Sequence, residues 1–237
     1  MVALLLKHRD TQNFSPTVVL SKIQAAITDY TKWLQGLRHH PSVYEWESVQ
    51  QFQAHWNPEA PDPVSMFDQS LQNSETRRLW QTENWYPKKM MLEFWRFEPR
   101  TVRAMFDDLH NETRDIEARI GRFLFGCDTL LRDYKRAHAT SVENNHYHDD
   151  YRMIALYLAF RYPEQYAPYD FDVFRRALTF FQARDIPQQN DLGRYFKVQR
   201  TLMTFLEKDG NAAKAMQRHL HPHKHYTGKT LLLSADL

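Results

Sequence analysis

The stretch TRDIEARIGRFLFGCDTLLRDYKR, residues 113–136, decides the fold class. Ile116, Ile120, Phe123, Leu124, Cys127, Leu130, Leu131 and Tyr134 recur at intervals of three and four, which puts them on one face of a helix with about 3.6 residues per turn. It is the longest periodic run in the chain and is expected to be the central strut of a helical bundle.

Working upstream, Ser15-Pro16 offers an N-cap followed by proline at the first helical position, and apolar residues then keep helical spacing from Val19 to Leu37. Residues 42–56 carry an aromatic stripe, Tyr44, Trp46, Val49, Phe52 and Trp56, read as core packing. Asp62-Pro63, Asn73-Ser74-Glu75, Pro87 and Glu98-Pro99 each punctuate the chain into a further short helix. Downstream, the polar loop His138 to Asn145 leads into an apolar helix from Tyr151 to Tyr162, stopped by Pro163. Helices from Asp170 to Phe181 and from Asp191 to Lys208 follow, the last halted by Asp209-Gly210. These elements predict an all-α fold: one compact domain of about eight to ten helices over residues 15–209. An irregular lead-in covers 1–14, and a flexible, histidine-rich tail is expected over 210–237.

Composition narrows the function. The chain has 237 residues and a formal charge of +2, too little to indicate a nucleic-acid partner by net electrostatics. Six glycines are few for a nucleotide-binding α/β domain, while 6 Trp, 12 Tyr and 15 Phe suit helices packed through aromatic rings. Cys127 is the one cysteine, so no intramolecular disulfide can form and a reducing, cytoplasmic setting is expected. Val2 to Leu6 is too short for a signal sequence, and no run reaches the roughly 20 apolar residues of a membrane span.

Four features contain residue types that can carry chemistry. His146-Tyr147-His148-Asp149-Asp150 contains ligand types for zinc, iron or nickel, but HExxH and CxxC patterns are lacking. Asp149 and Asp150 serve equally well as a cap for the following helix. His219, His221, His223 and His225 alternate, so an extended tail would project all four from one side toward a metal. Thr227-Gly228-Lys229-Thr230 copies the end of a phosphate-binding loop without its leading glycine or preceding strand. Cys127, on an apolar face, reads as a small buried hydrophobe. No catalytic residue, metal or cofactor is therefore expected, and the chain by itself is read as a binder rather than an enzyme. Basic residues interleave with aromatics at Arg77, Arg78, Trp85, Tyr86, Lys88 and Lys89, a mixture suited to phosphates and to stacking on an exposed base.

Three blocks then resemble a known family. SLQNSETRRLWQTENWYPKKMMLEFWRFEPRTVRAMFDDL (70–109), ENNHYHDDYRMIALYLAFRYPEQYAPYDFDVFRRAL (143–178) and RDIPQQNDLGRYFKVQRTLMTFL (184–206) resemble the helical N-terminal region of McrB-like AAA+ proteins, the motor subunits of modification-dependent restriction systems. The similarity spans roughly residues 43–209, and YLAFRYPEQYAPYDF (157–171) is its most specific part. The resemblance implies a recognition or assembly module, without the GTP-hydrolysing motor, for an anti-phage defence system. The expected partner is DNA, held by Arg77, Arg78, Trp85, Tyr86, Lys88 and Lys89. One alternative is a protein-interaction module that docks a motor or nuclease subunit through His146, His148, Asp149, Asp150, Tyr162, Tyr166 and Tyr169. Another is a metal-dependent hydrolase built on His146, His148, Asp149 and Asp150.

Overall fold

The ten residues RMIALYLAFR, 152–161, offer a helix no continuous polar side, and such a helix is stable only when surrounded by protein. In the computed structural model, whose described residues are 19–81, 84–138 and 144–237 without the side chains of Thr76 and Arg77, all eight residues from Met153 to Phe160 are buried. The chain is all-helical, a single domain with no strand among the described residues. Its helices run α1 (Leu20–Gly36), α2 (Val43–His55), α3 (Pro63–Ser70), α4 (Thr76–Leu79), α5 (Pro87–Phe97), α6 (Pro99–Leu109), α7 (Ile116–Ala137), α8 (Arg152–Arg161), α9 (Phe171–Phe180), α10 (Leu192–Asp209), α11 (Asn211–Gln217) and α12 (Leu232–Asp236). None of them is long and apolar enough to cross a membrane.

Aromatic rings join α8 to its neighbours. Phe160 meets Phe52 of α2 at 6.0 Å and Trp80 at 6.3 Å. Tyr157 meets Phe67 of α3, Phe106 of α6 and Phe123 of α7 at 5.0–6.0 Å. The centre of the domain is therefore α8 and not, as the periodicity of residues 113–136 suggested, α7. Helix α7 buries one stripe, Ile120, Phe123, Cys127, Leu130 and Leu131, and turns Phe125 outward at 71% exposure. A long amphipathic helix gives the stronger periodic signal, but the shorter, uniformly apolar one takes the interior. A Cβ at Gly126 would lie 2.7 Å from Met105 Sδ of α6, a flexible side chain that would have to shift.

Helix starts follow the sequence signals. Asp62, Asp115, Asp170 and Asp191 each accept a backbone N–H three residues on, at 2.9–3.0 Å. Gly210, at φ +70°, ends α10 in the left-handed conformation that glycine adopts without strain. Ser15-Pro16 lies outside the described residues, as do 139–143 of the polar loop.

Residues 210–237 differ from the flexible tail expected of them. They form α11 and α12, with Leu231, Leu232 and Leu233 all at 5% exposure or less. The Tyr226 N–H donates to Trp46 O and the Leu231 N–H to Pro163 O. Polar spacing hid this packing, because the four alternating histidines separate two short apolar anchors. The end is fastened by one carboxylate: Asp236 accepts from Tyr30 OH at 2.5 Å and pairs with His40 Nε2 at 2.8 Å, where the His40 side chain is fully buried. Replacing Asp236 by alanine strands both partners at a cost of about 2–3 kcal/mol. The thermal midpoint should fall by about 4–12 °C, and an unchanged midpoint in a melting curve would show that the clamp does not hold α12 down.

Candidate functional site

The fastening of α12 helps to shape a cavity of about 890 Å³ between α1, α2, α9, α10 and the chain end. Helix α1 contributes Ala26, Tyr30 and Trp33, at the three- and four-residue spacing that shares one face. Helix α9 contributes Val173, Phe174, Ala177 and Phe180, and α10 contributes Tyr195, Gln199 and Leu202. The ring wall is braced: Tyr195 stands edge-on to both Tyr169 and Phe174 at 4.9 and 5.1 Å, and Tyr30 stacks on Trp33 at 5.8 Å. Tyr195 OH donates to Pro168 O and Tyr169 OH to Asn190 Oδ1, so these hydroxyls are committed and the rings stay put.

Two polar groups bear on what the cavity can hold. Gln199 is 7% exposed, and its Oε1 is buried without a hydrogen-bond partner. Glu45 is half-buried and lines the open cavity. Burial, with Asp236 nearby, pushes its pKa up to about 8. Glu45 therefore holds its proton at neutral pH and can both donate and accept a hydrogen bond. Three guanidinium groups, Arg78, Arg152 and Arg176, complete the lining. Arg78 lies over the Tyr44 ring at 5.5 Å, and Arg152 is fixed by Asp150, Nε to Oδ2 2.6 Å, and by the Trp85 ring at 4.3 Å. Trp33, Val173 and Phe180, each 43–55% exposed, form an apolar lip. The whole can take a planar group, apolar on its faces and polar at its edge.

The basic and aromatic residues expected to hold DNA do not share one surface. Arg78 lines the cavity, and Trp85 reaches it only through Arg152. Tyr86, Lys88 and Lys89 line a separate, smaller hollow with Trp80 and Leu92. Lys88 is engaged inside the domain, 2.8 Å from Asp68 and donating to the carbonyls of Asp68 and Leu71. The Arg77 side chain lies outside the described residues.

The residues expected to form a contact surface for a partner protein are mostly interior. His146, His148, Tyr166 and Tyr169 are each 6% exposed or less. Tyr166 OH accepts from Arg119 Nη2 at 2.7 Å and donates to Glu112, and Tyr162 OH donates to His110 O at 2.8 Å. Tyrosine-rich turns read alike whether their rings face in or out, and here the hydroxyls close internal networks. Asp149 is exposed, and Asp150 accepts from the Arg152 N–H at the start of α8. Cys127 is buried as expected, but it faces His146 and His148.

The tail features are structural. His219 Nε2 contacts Leu34 O at 3.1 Å, and His225, 3% exposed, accepts from the His221 N–H, so the four histidines do not line one edge. In the fragment that copies a phosphate loop, Lys229 pairs with Glu207 at 3.1 Å and Thr230 Oγ1 accepts from the Leu232 N–H.

Glu45 and Gln199 went unmarked in the sequence, although Gln199 carried a signal. It occupies an inward position in the series Leu192, Tyr195, Gln199, Leu202, Leu206, where a polar residue needs a reason. No protein family, curated protein or solved structure matches this chain.

The Glu45 carboxyl sets a pH dependence. Below its ordinary pKa of 4.5 it is protonated in both folded and unfolded chains; between 4.5 and about 8 only the folded state keeps the proton. Stability contributed by this group is thus present at low pH and lost as pH rises toward 8. Glu45→Gln lacks the titration, so its melting temperature relative to the parent should climb from about pH 5 to about pH 9. Parallel curves would mean that Glu45 ionises as a solvated carboxylate.

Proposed function

We propose that this chain is a cytoplasmic, non-catalytic recognition module whose receptor is the aromatic cavity, and that its occupant is a nucleobase presented by DNA. The observation that carries this reading is the buried, unpartnered Gln199 Oε1, with Glu45 lining the same cavity, set among ring walls that match the faces of a heteroaromatic base. A base swung out of its stack is read in this way, by edge hydrogen bonds and by aromatic contacts. The guanidinium groups of Arg78, Arg152 and Arg176 supply positive charge for the flanking phosphates. The resemblance to the N-terminal regions of McrB-like proteins favours the same partner, and in that setting the module selects DNA for a motor and nuclease carried elsewhere.

A second reading has one observation in its favour. The lip of Trp33, Val173 and Phe180 is apolar and exposed, which suits an aromatic side chain of a motor or nuclease subunit inserted into the cavity. The hydrolase alternative has less support, since His146 and His148 are shut away from substrate and Asp150 is tied to Arg152.

Fluorescence anisotropy with modified and unmodified duplexes separates the two readings. For DNA, affinity should fall steeply with salt, and Arg176→Ala should flatten the log–log salt slope by about one unit. Glu45→Ala should weaken binding while leaving that slope unchanged. Absence of association at low salt with either duplex would end the DNA reading. Loss of a co-purifying subunit in Trp33→Ala would then support the protein one.

A further inference from the structure

We propose that Cys127, His146 and His148 form a binding site for a divalent transition metal, zinc above all, that clips α7 to the entry of α8. The thiol and one ring nitrogen of each histidine all lie within 4.8 Å of one another. Cys127 and His148 are 0% exposed and His146 is 2% exposed. One thiol and two imidazoles are soft and borderline donors, the set that selects zinc over magnesium or calcium. This site is separate from the aromatic cavity and does not depend on its function.

The surroundings favour a cation in three ways. First, His148 Nδ1 donates to its neighbour's backbone, His146 O, at 2.6 Å, which leaves Nε2 as the lone-pair nitrogen. A backbone carbonyl holding the far nitrogen is the usual support of a metal-bound imidazole. The present partner of Nε2 is Tyr157 OH at 3.2 Å, long for a hydroxyl donor. Second, Asp128 and Asp149 bring carboxylate oxygens to 3.1 and 3.0 Å from His146 Nε2. Both are exposed, and as acceptors they hold the ring proton on Nε2, which leaves Nδ1, at present accepting the His148 N–H at 3.2 Å, as the His146 nitrogen available to a metal. Third, the connecting turn is held in a costly shape: Tyr147 and Tyr151, on either side of His148, sit at φ 62° and 64°. Non-glycine residues adopt that region only when the surroundings demand it, and here it keeps both histidines turned inward.

Burial and the charges of Asp128 and Asp149 push the Cys127 thiol well above its usual pKa, and burial first, then His146, pushes His148 down to about 3. Without metal the pair is therefore a neutral thiol and a neutral imidazole. On binding, the thiol releases one proton to solvent, the sulfur–metal bond forms, and the cation compensates the thiolate and the nearby carboxylates. No redox step is involved.

The single cysteine makes the test specific. Tag-free protein, stripped with a chelator and dialysed, is titrated with cobalt(II). A thiolate-to-cobalt charge-transfer band should grow to one equivalent and vanish on adding zinc. Cobalt held by histidines alone lacks a thiolate and cannot produce this band. Cys127→Ser should abolish it, and His148→Asn should weaken cobalt binding at least about tenfold. Zinc should raise the melting temperature of the unsubstituted protein above that of the chelated sample, a reading that stands even if a variant fails to fold. A folded protein with no such band and identical melting with zinc and with chelator would overturn the proposal. So would a band lost in Cys127→Ser but unchanged in both His146→Asn and His148→Asn.

Discussion

The burial of α8 on every side is the constraint from which the rest follows. A helix without a polar face must be enclosed, and enclosing it takes α2, α3, α6 and α7, each of which reaches it with an aromatic ring. Rings suit this task because each covers a large area with few rotatable bonds and packs edge-to-face against several neighbours. Phe106 illustrates it, meeting Trp56, Phe67, Trp95, Phe123 and Tyr157 at 5.0–5.9 Å.

Once that core is built, α1, α9 and α10 pack farther out, and the space left among them is closed by α12. The cavity is thus a boundary between the aromatic core and an outer layer pinned by Asp236. That position explains its mixed character. Core-type rings make its walls, while Glu45 and Gln199 are polar groups that a fully packed interior would exclude or satisfy. Asp236 links the two roles, since it anchors the C-terminal helix and raises the affinity of Glu45 for its proton.

Much of the fold was legible from spacing and punctuation. Aspartate caps and helix-starting prolines marked the beginnings of α3, α5, α6, α9 and α10, and apolar periodicity marked their buried faces. The pattern failed where three-dimensional competition decides. It made α7 the centre because amphipathicity is a louder signal than uniform apolarity, and it left residues 210–237 loose because two short anchors lie among histidines. The candidate site was nearly illegible. Tyr30, Glu45, Phe174 and Gln199 come from four separate helices, and no local motif joins them. Lys88 and Tyr166 carried recognisable chemistry but spend it on internal partners, which sequence alone does not distinguish from an exposed binding face. Cys127 and His146, 19 positions apart in the sequence, meet only because the chain turns back between α7 and α8.

In the proposed function the cavity, rather than the outer basic faces, takes hold of the partner. The most direct measurement is a crystal structure of the protein with a duplex containing a modified base. One base should be turned out of the helix into the cavity, its faces between the α1 and α9 side chains and its edge toward Glu45 and Gln199. A duplex fully stacked and bound against Lys88 and Lys89, with the cavity filled by solvent, would contradict that proposal.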